Sequence, residues 1–412
     1  MDYTYFLSKK SLNRKPSPIR ALVPLLKIPG IISLGAGNPN PETFPFSSFK
    51  ICLKNGDVLN VEEKEMDEAL QYGPTAGLPA LIDWLREFQL AMHSPPYDDF
   101  AISIGTGSQD LLTKAFEMLI EPGDNVLIES PAYAGALSFL NSQSCTLIVE
   151  IETDEQGLIP DSLSSTLSNW PSLERFPKFI YTVPIGNNPT GSSVHIERKR
   201  AIFQIAHDFN ILILEDDPYY YLQYNNPRIP SYFSLDTDGR VLRFDSMSKI
   251  LSAGSRVGWV TGPATLIKQI DLSSQSTNLA PSFVTQAIIY ALLKDWKLSG
   301  FLTHVDKVAA FYKEKRDIFV KYANQYLRDV AQWNVPEAGM FVWIKLKGIE
   351  DSNELITKRA IEKKILAMPG EVFLPNPRPS PYIRLSFSNV SEEQMRLALQ
   401  KLADLLENVS VN

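Results

Sequence analysis

The sequence predicts an α/β protein: a large domain with a mostly parallel sheet covered by helices, plus a smaller α+β domain. Three observations predict it. Short apolar strands without alternation recur through the middle of the chain, at 124–129, 178–183, 211–214, 241–244 and 257–262. Helical stretches such as 197–209 lie between several of them. Apolar strands that alternate with helices belong to sheets buried on both faces. After Gly300 the pattern changes to a long charged amphipathic stretch, two strands at 339–346 and 382–387, and a last helix. That helix opens with a capping box, Ser391 and Gln394.

The 412 residues suit two or three domains at roughly 150 residues each. Residues 1–45 are rich in Pro and Gly and read as an irregular arm that docks on the small domain. Residues 46–300 form the large domain and 301–412 the small one. Apolar residues make up 44% and charged residues 21%, enough to close a sizeable core and to exclude wholesale disorder. A net charge of −7 opposes nucleic-acid binding, which needs a basic patch. Two cysteines, Cys52 and Cys145, cannot build a disulfide framework or a cysteine metal cluster, and they point to a reducing compartment. The four histidines show no ligand spacing, so no metal is expected. No apolar run approaches the roughly 20 residues of a membrane span, and the N-terminus lacks a secretory core. A cytoplasmic location follows, with a mitochondrial one as the alternative.

Chemistry is concentrated where strands end. Gly105-Thr106-Gly107-Ser108-Gln109-Asp110 precedes the amphipathic run 111–120. Small residues at a helix start expose backbone N–H groups and the positive end of the dipole, which suits a phosphate. Plain capping by Ser108 is the simpler alternative. Tyr133, at a strand exit, could stack on a planar ring or fill the core. Asn187-Asn188-Pro189-Thr190-Gly191 invites a tight turn, open to a cis Asn-Pro bond, that fixes an Asn side chain. Asp217 and Tyr220 follow an apolar strand and could supply an acid and a phenol from one turn, although acids beside Pro also make ordinary turns. Lys249, in Ser246-Met247-Ser248-Lys249, lies in a small-residue loop where α/β ligand sites occur. Lysine is the amine that bonds carbonyl compounds covalently, and it is also a common surface charge. Arg256 follows closely enough to reach the same phosphate. Arg384 sits in an apolar strand and needs an acidic partner, either a substrate carboxylate or an internal acid.

The order of these motifs resembles the class I/II aminotransferases, pyridoxal-phosphate enzymes of fold type I. The resemblance covers essentially the whole chain. It is nearest to the kynurenine/2-aminoadipate and fungal aromatic aminotransferases, through Pro16-Ser17-Pro18-Ile19-Arg20, Asn38-Pro39-Asn40-Pro41, Gly339-Met340-Phe341-Val342-Trp343-Ile344 and Met368-Pro369-Gly370. It implies a seven-stranded sheet in the large domain. It implies that Lys249 joins the cofactor aldehyde and shuttles protons, that Asp217 pairs with the pyridine nitrogen, and that Tyr220 and Asn188 bond the phenolic oxygen. Tyr133 would stack on the ring. Ser108, Gln109, Ser246, Ser248 and Arg256 would hold the phosphate, joined by Tyr72 from the second subunit of a homodimer. Arg384 and Asn188 would grip the substrate carboxylate. Arg20, Gly37, Leu279 and Phe341 would shape the side-chain pocket. The implied reaction moves an amino group from an aromatic amino acid, kynurenine or 2-aminoadipate to 2-oxoglutarate by a ping-pong route.

The same residues also serve lyases and decarboxylases, because the cofactor carries the difficult chemistry. A serine acylase is a weaker reading: Ser246-x-x-Lys249 fits, but a Lys-Thr-Gly element is absent. A ligand sensor built on an aminotransferase domain would carry an N-terminal winged helix, which the motifs starting at Arg20 leave no room for.

Overall fold

The computed structural model describes residues 1–410 apart from 20, 21, 23, 24, 26, 27, 36, 62 and 144–146. The described strands are β1 (Phe49–Cys52), β2 (Val58–Val61), β3 (Phe100–Gly105), β4 (Asn125–Ser130), β5 (Leu147–Asp154), β6 (Gly157–Leu158) and β7 (Phe179–Thr182). They continue with β8 (Leu212–Asp216), β9 (Val241–Ser246), β10 (Gly258–Pro263), β11 (Ala331–Trp333), β12 (Phe341–Leu346), β13 (Met368–Pro369) and β14 (Tyr382–Ser386). Two units result. The first joins Met1–Glu121 to Ser231–His304, and the second joins Pro122–Pro230 to Val305–Asn412.

In the first unit β10 runs antiparallel to β3 on one side and β9 on the other. Gly258 faces Gly105 of β3 and Ser246 of β9. The ends of β3 and β9 and the start of β10 therefore share one edge. These strands are apolar because both faces are covered. Ile104, Phe244, Trp259 and Val260 are all buried. Helix Pro79–His93 buries Leu81, Leu85 and Phe88, and the Phe88 ring meets Trp259 edge-on at 6.3 Å. The N-terminal residues join the same unit: Phe6 and Leu7 are buried, and the Ser8 N–H donates to the Met118 carbonyl at 2.8 Å.

One charged pair lies inside this core. Arg243 and Asp245 are two residues apart on β9, so their side chains share a face. Arg243 donates from Nε and Nη2 to the two Asp245 oxygens at 3.0 and 2.8 Å, and both side chains are fully buried. Gln89 Nε2 adds a bond to Asp245 at 2.9 Å.

In the second unit β8, β7, β4 and β5 pair in that order, all parallel. Parallel strands end together, so the turns after β4, β7 and β8 emerge on one side. The seven strands of the expected sheet correspond to β3, β10 and β9 in the first unit and β8, β7, β4 and β5 in the second. Beyond them, β6 is a two-residue antiparallel return on β5. A separate antiparallel sheet has the order β11, β12, β14, β13, with Trp343 opposite Arg384. The capping box forms as expected: the Ser391 N–H donates to Gln394 Oε1 at 2.9 Å, and the Gln394 N–H to Ser391 Oγ at 3.2 Å.

Breaking a buried ion pair strands its partner, which costs about 3–5 kcal/mol. Asp245→Ala should lower unfolding free energy by about that amount, read from a urea or guanidinium midpoint at constant slope.

Candidate active site

In the first unit the shared strand edge collects the residues expected to hold a phosphate. After β3, Gly107 takes a left-handed turn (φ 84) into helix Ser108–Leu119. Gly107 has no side chain to cap that helix start, which leaves the positive end of the helix suited to an anion. Ser108 and Gln109 occupy the first turn and are half-buried. After β9, Ser246 Oγ accepts from the Ser248 N–H at 3.1 Å, and Lys249 closes the same short turn. Before β10, Arg256 donates to Ser248 Oγ at 3.3 Å, to the Thr106 carbonyl at 3.2 Å and to the Ala253 carbonyl at 3.1 Å. A Cβ on Gly107 would run into the Arg256 guanidinium. Glycine there makes room for a cation beside uncapped amides, which is an anion cradle next to an amine. The residues fit a phosphate ester.

Tyr72, Gly37 and Leu279, in the same unit, are exposed, and Leu279 is left-handed (φ 64). Arg20 lies outside the described residues. Among the described residues, no cluster of three His, Cys, Asp or Glu could hold a metal.

In the second unit the parallel strand ends carry the rest. Tyr133 follows β4, and its neighbour Ala132 donates its N–H to the Phe373 carbonyl at 2.8 Å. Asn188 follows β7 in a turn whose Asn188–Pro189 bond is cis. Asp217 and Tyr220 follow β8, and both are buried. From β14, Arg384 donates to Asn188 Oδ1 at 2.8 Å. Its guanidinium lies 4.4 Å from the Phe341 ring centre and 5.0 Å from that of Phe373. Aromatic faces on a planar cation leave its edge for a two-pronged acceptor. Burial pulls the Arg384 pKa down, opposed by the Tyr219 and Tyr133 phenols. The structure thus joins Asn188, Arg384 and Phe341 directly.

Sequence reasoning missed Tyr219, which bonds the Asn188 side chain and meets Phe341 edge-on at 5.8 Å. Its signal was its place in Asp216-Asp217-Pro218-Tyr219-Tyr220. It also missed Glu129, an acid inside an apolar strand. Glu129 is completely buried and accepts from Val183 N–H at 2.7 Å, Asn187 Nδ2 at 2.8 Å and Thr182 Oγ1 at 2.8 Å. An uncapped anion cradle with an amine beside it, and an arginine aimed by an asparagine, suit a phosphorylated aldehyde cofactor and a carboxylate substrate.

Comparison with known proteins decides the family. Aminotransferase class I and II matches residues 29–402. The chain belongs to this family. This aminotransferase is 45% identical to the mitochondrial kynurenine/alpha-aminoadipate aminotransferase of Rattus norvegicus, over 100% of both chains. An aminotransferase of Candida albicans superposes with a TM-score of 0.91 at 29% identity, covering 99% of this chain and 98% of that one. The alpha-aminoadipate aminotransferase of Thermus thermophilus, solved with N-(5'-phosphopyridoxyl)-L-leucine, gives a TM-score of 0.75 at 26% identity over 100% of both. The fold type I architecture and the activity of a transaminase follow for this aminotransferase.

Burial pushes the Glu129 carboxyl up to about 8 from its ordinary 4.5, outweighing the bonds from Val183, Thr182 and Asn187. The unfolded chain releases this proton near 4.5 and the folded protein near 8, so the folded state holds the extra proton between those values. Stability should therefore fall as pH rises through this window, and Glu129→Gln should flatten that slope. Denaturant midpoints of both proteins at pH about 5 and about 8 check it.

Proposed function

We propose that this aminotransferase uses pyridoxal phosphate to move the amino group of an aromatic amino acid, kynurenine or 2-aminoadipate to 2-oxoglutarate. The observation that carries the reading is Lys249 on the turn that also presents Ser246, Ser248 and Arg256 beside the uncapped helix start at Ser108. Bound pyridoxal phosphate supplies an electrophilic aldehyde and a protonated ring that withdraws electrons from the substrate Cα. The phosphate would take the amides of the first helical turn, Ser108, Gln109, Ser246, Ser248 and Arg256. Asp217, fully buried, would keep the pyridine nitrogen protonated. Tyr220 and Asn188 would bond the phenolic oxygen, and Tyr133 would cover the ring.

Lys249 Nζ would be the attachment point for the cofactor aldehyde and, as a free amine, the base for the Cα proton. Arg384, which donates to Asn188 Oδ1, would hold the substrate carboxylate and so fix its orientation. The first oxo acid leaves before the second binds, so kinetics are ping-pong. Phe341, Leu279, Gly37 and Arg20 would line the side-chain pocket. The name of the rat relative supports kynurenine and 2-aminoadipate as donors. Tyr72 is 57% exposed in the single chain, which suits a role at the phosphate of a second subunit in a homodimer. The compartment is read as cytoplasmic, and the mitochondrial relatives support the alternative. Among the described residues no helix is long and apolar enough to cross a membrane.

A panel of these donors with 2-oxoglutarate should give turnover with at least one, on protein that sediments as a dimer. Lys249→Ala should abolish it while cofactor still binds without a covalent link. Borohydride should fix a pyridoxyl group on Lys249 in the parent protein, and labelling elsewhere overturns the lysine assignment. Arg384→Lys should raise KM for the amino donor roughly tenfold or more, since a point charge cannot replace a two-pronged contact. An unchanged KM removes Arg384 from the carboxylate role.

A further inference from the structure

Glu129 belongs to none of the roles above, yet its carboxyl ties three pieces of the second unit together. It stands on β4 among Leu127, Ile128 and other fully buried residues. One oxygen accepts from the Val183 N–H at the end of β7 and from Asn187 Nδ2 in the following turn, at 2.7 and 2.8 Å. The other meets Thr182 Oγ1 at 2.8 Å. Asn187 in turn pins the turn internally. Its Nδ2 also donates to the Val183 carbonyl at 3.1 Å, and its Oδ1 accepts from the Thr190 N–H at 3.1 Å. Its backbone exchanges bonds with Ser192 and Gly191 at 2.9 and 2.7 Å. The next residue is Asn188, whose Oδ1 receives Arg384 at 2.8 Å.

A chain of contacts therefore runs from Glu129 to Asn187, across one peptide to Asn188, and on to Arg384. Consecutive Cα atoms are held about 3.8 Å apart by a planar peptide, so a rotation of Asn187 moves Asn188 with it. We propose that Glu129 is a positioning residue for substrate binding, holding the Asn187 turn so that Asn188 presents its amide oxygen to Arg384. The inference rests on the reading of Arg384 and Asn188 as the grip on the substrate carboxylate.

The geometry also says which replacement keeps the function. Two N–H donors converge on one oxygen, and the other oxygen faces a hydroxyl that can donate or accept. A glutamine reproduces this set: its carbonyl takes the two N–H groups and its amide donates to Thr182 Oγ1. The carboxyl's upward shift toward about 8 agrees, since a protonated acid makes the same pattern. Alanine leaves Val183 and Asn187 donors buried and unmade, so the turn relaxes.

The test compares the parent holoenzyme with Glu129→Gln, Glu129→Ala, Asn187→Ala and Arg384→Lys. It reads KM and kcat with 2-oxoglutarate, the cofactor absorbance, and the calorimetric dissociation constant of glutarate, a dicarboxylate that cannot react. Glu129→Ala and Asn187→Ala should each raise KM and weaken glutarate roughly tenfold, with kcat within about threefold and cofactor content unchanged. Glu129→Gln should stay within about twofold of the parent on every measure. If Glu129→Ala does not fold, Asn187→Ala breaks the same link from the turn side and decides the matter. Unchanged glutarate binding in Asn187→Ala overturns the proposal, as does a Glu129→Gln enzyme as impaired as the alanine variants. Arg384→Lys separates the two readings. If it too leaves glutarate binding unchanged, the carboxylate assignment has failed. If it alone weakens binding, only the positioning role of Glu129 has failed.

Discussion

In the first unit the antiparallel pairing of β10 with β3 and with β9 sets everything else. Because Gly258 lies opposite both Gly105 and Ser246, two connections, β3 to its helix and β9 to β10, meet at one end of the strands. They carry the helix start at Ser108, the turn with Lys249, and Arg256. A one-residue slip would turn each side chain to the opposite face. Gly258 tolerates no such slip: its backbone packs against the Ser108 amide and the Asp245 carbonyl, where any Cβ would collide. The Arg243–Asp245 pair sits within the same strand, fully buried on one of its two covered faces.

The second unit solves a different problem, that of keeping polar groups dry. Glu129, Asn187, Asp217 and Tyr220 are all buried, and Arg384 is partly so. Buried polar groups are stable only when each finds a partner. For Glu129 and Asn187 the partners are one another, the Thr182 hydroxyl and the backbone of the strand end and turn, and for Arg384 it is Asn188. Tyr181 donates to Asp216 at 2.8 Å, directly beside Asp217. Arg378 clasps Glu150 of β5 with two bonds of 2.7 Å, tying the segment before β14 to the parallel strands of the same unit. A network satisfied in this way resists reorganisation, which is what a site needs if it must hold a carboxylate in one orientation.

Much of this was legible in the sequence. Apolar strands buried on both faces announce themselves by composition, and β4, β7, β8, β9 and β10 each lie within a residue or two of the expected ranges. The capping box at Ser391 is a local signature and formed as written. The long helical stretch expected from Gly300 to about Tyr326 is the second of two helices within Phe283–Tyr326, which part at Lys297 (φ 55). The two-residue strands β6 and β13 carry no periodicity at all, since only their neighbours define them. Among site residues, those in turn motifs could be found from their strings. Phe373 and Glu129 could not, because each acts through a partner far away in the chain. Pairing of that kind is a property of the folded topology, and no local pattern records it.

Both units are assembled from segments that are not contiguous. The first begins at Met1 and finishes only with Ser231–His304, and the second opens at Pro122 and finishes beyond Val305. On the ribosome, then, β3 emerges long before its hydrogen-bonded neighbour β10 has been translated, and β4, β7 and β8 wait similarly for the C-terminal sheet. The nascent polypeptide must hold half-finished cores for most of its synthesis, which makes the growing chain a natural client for chaperones.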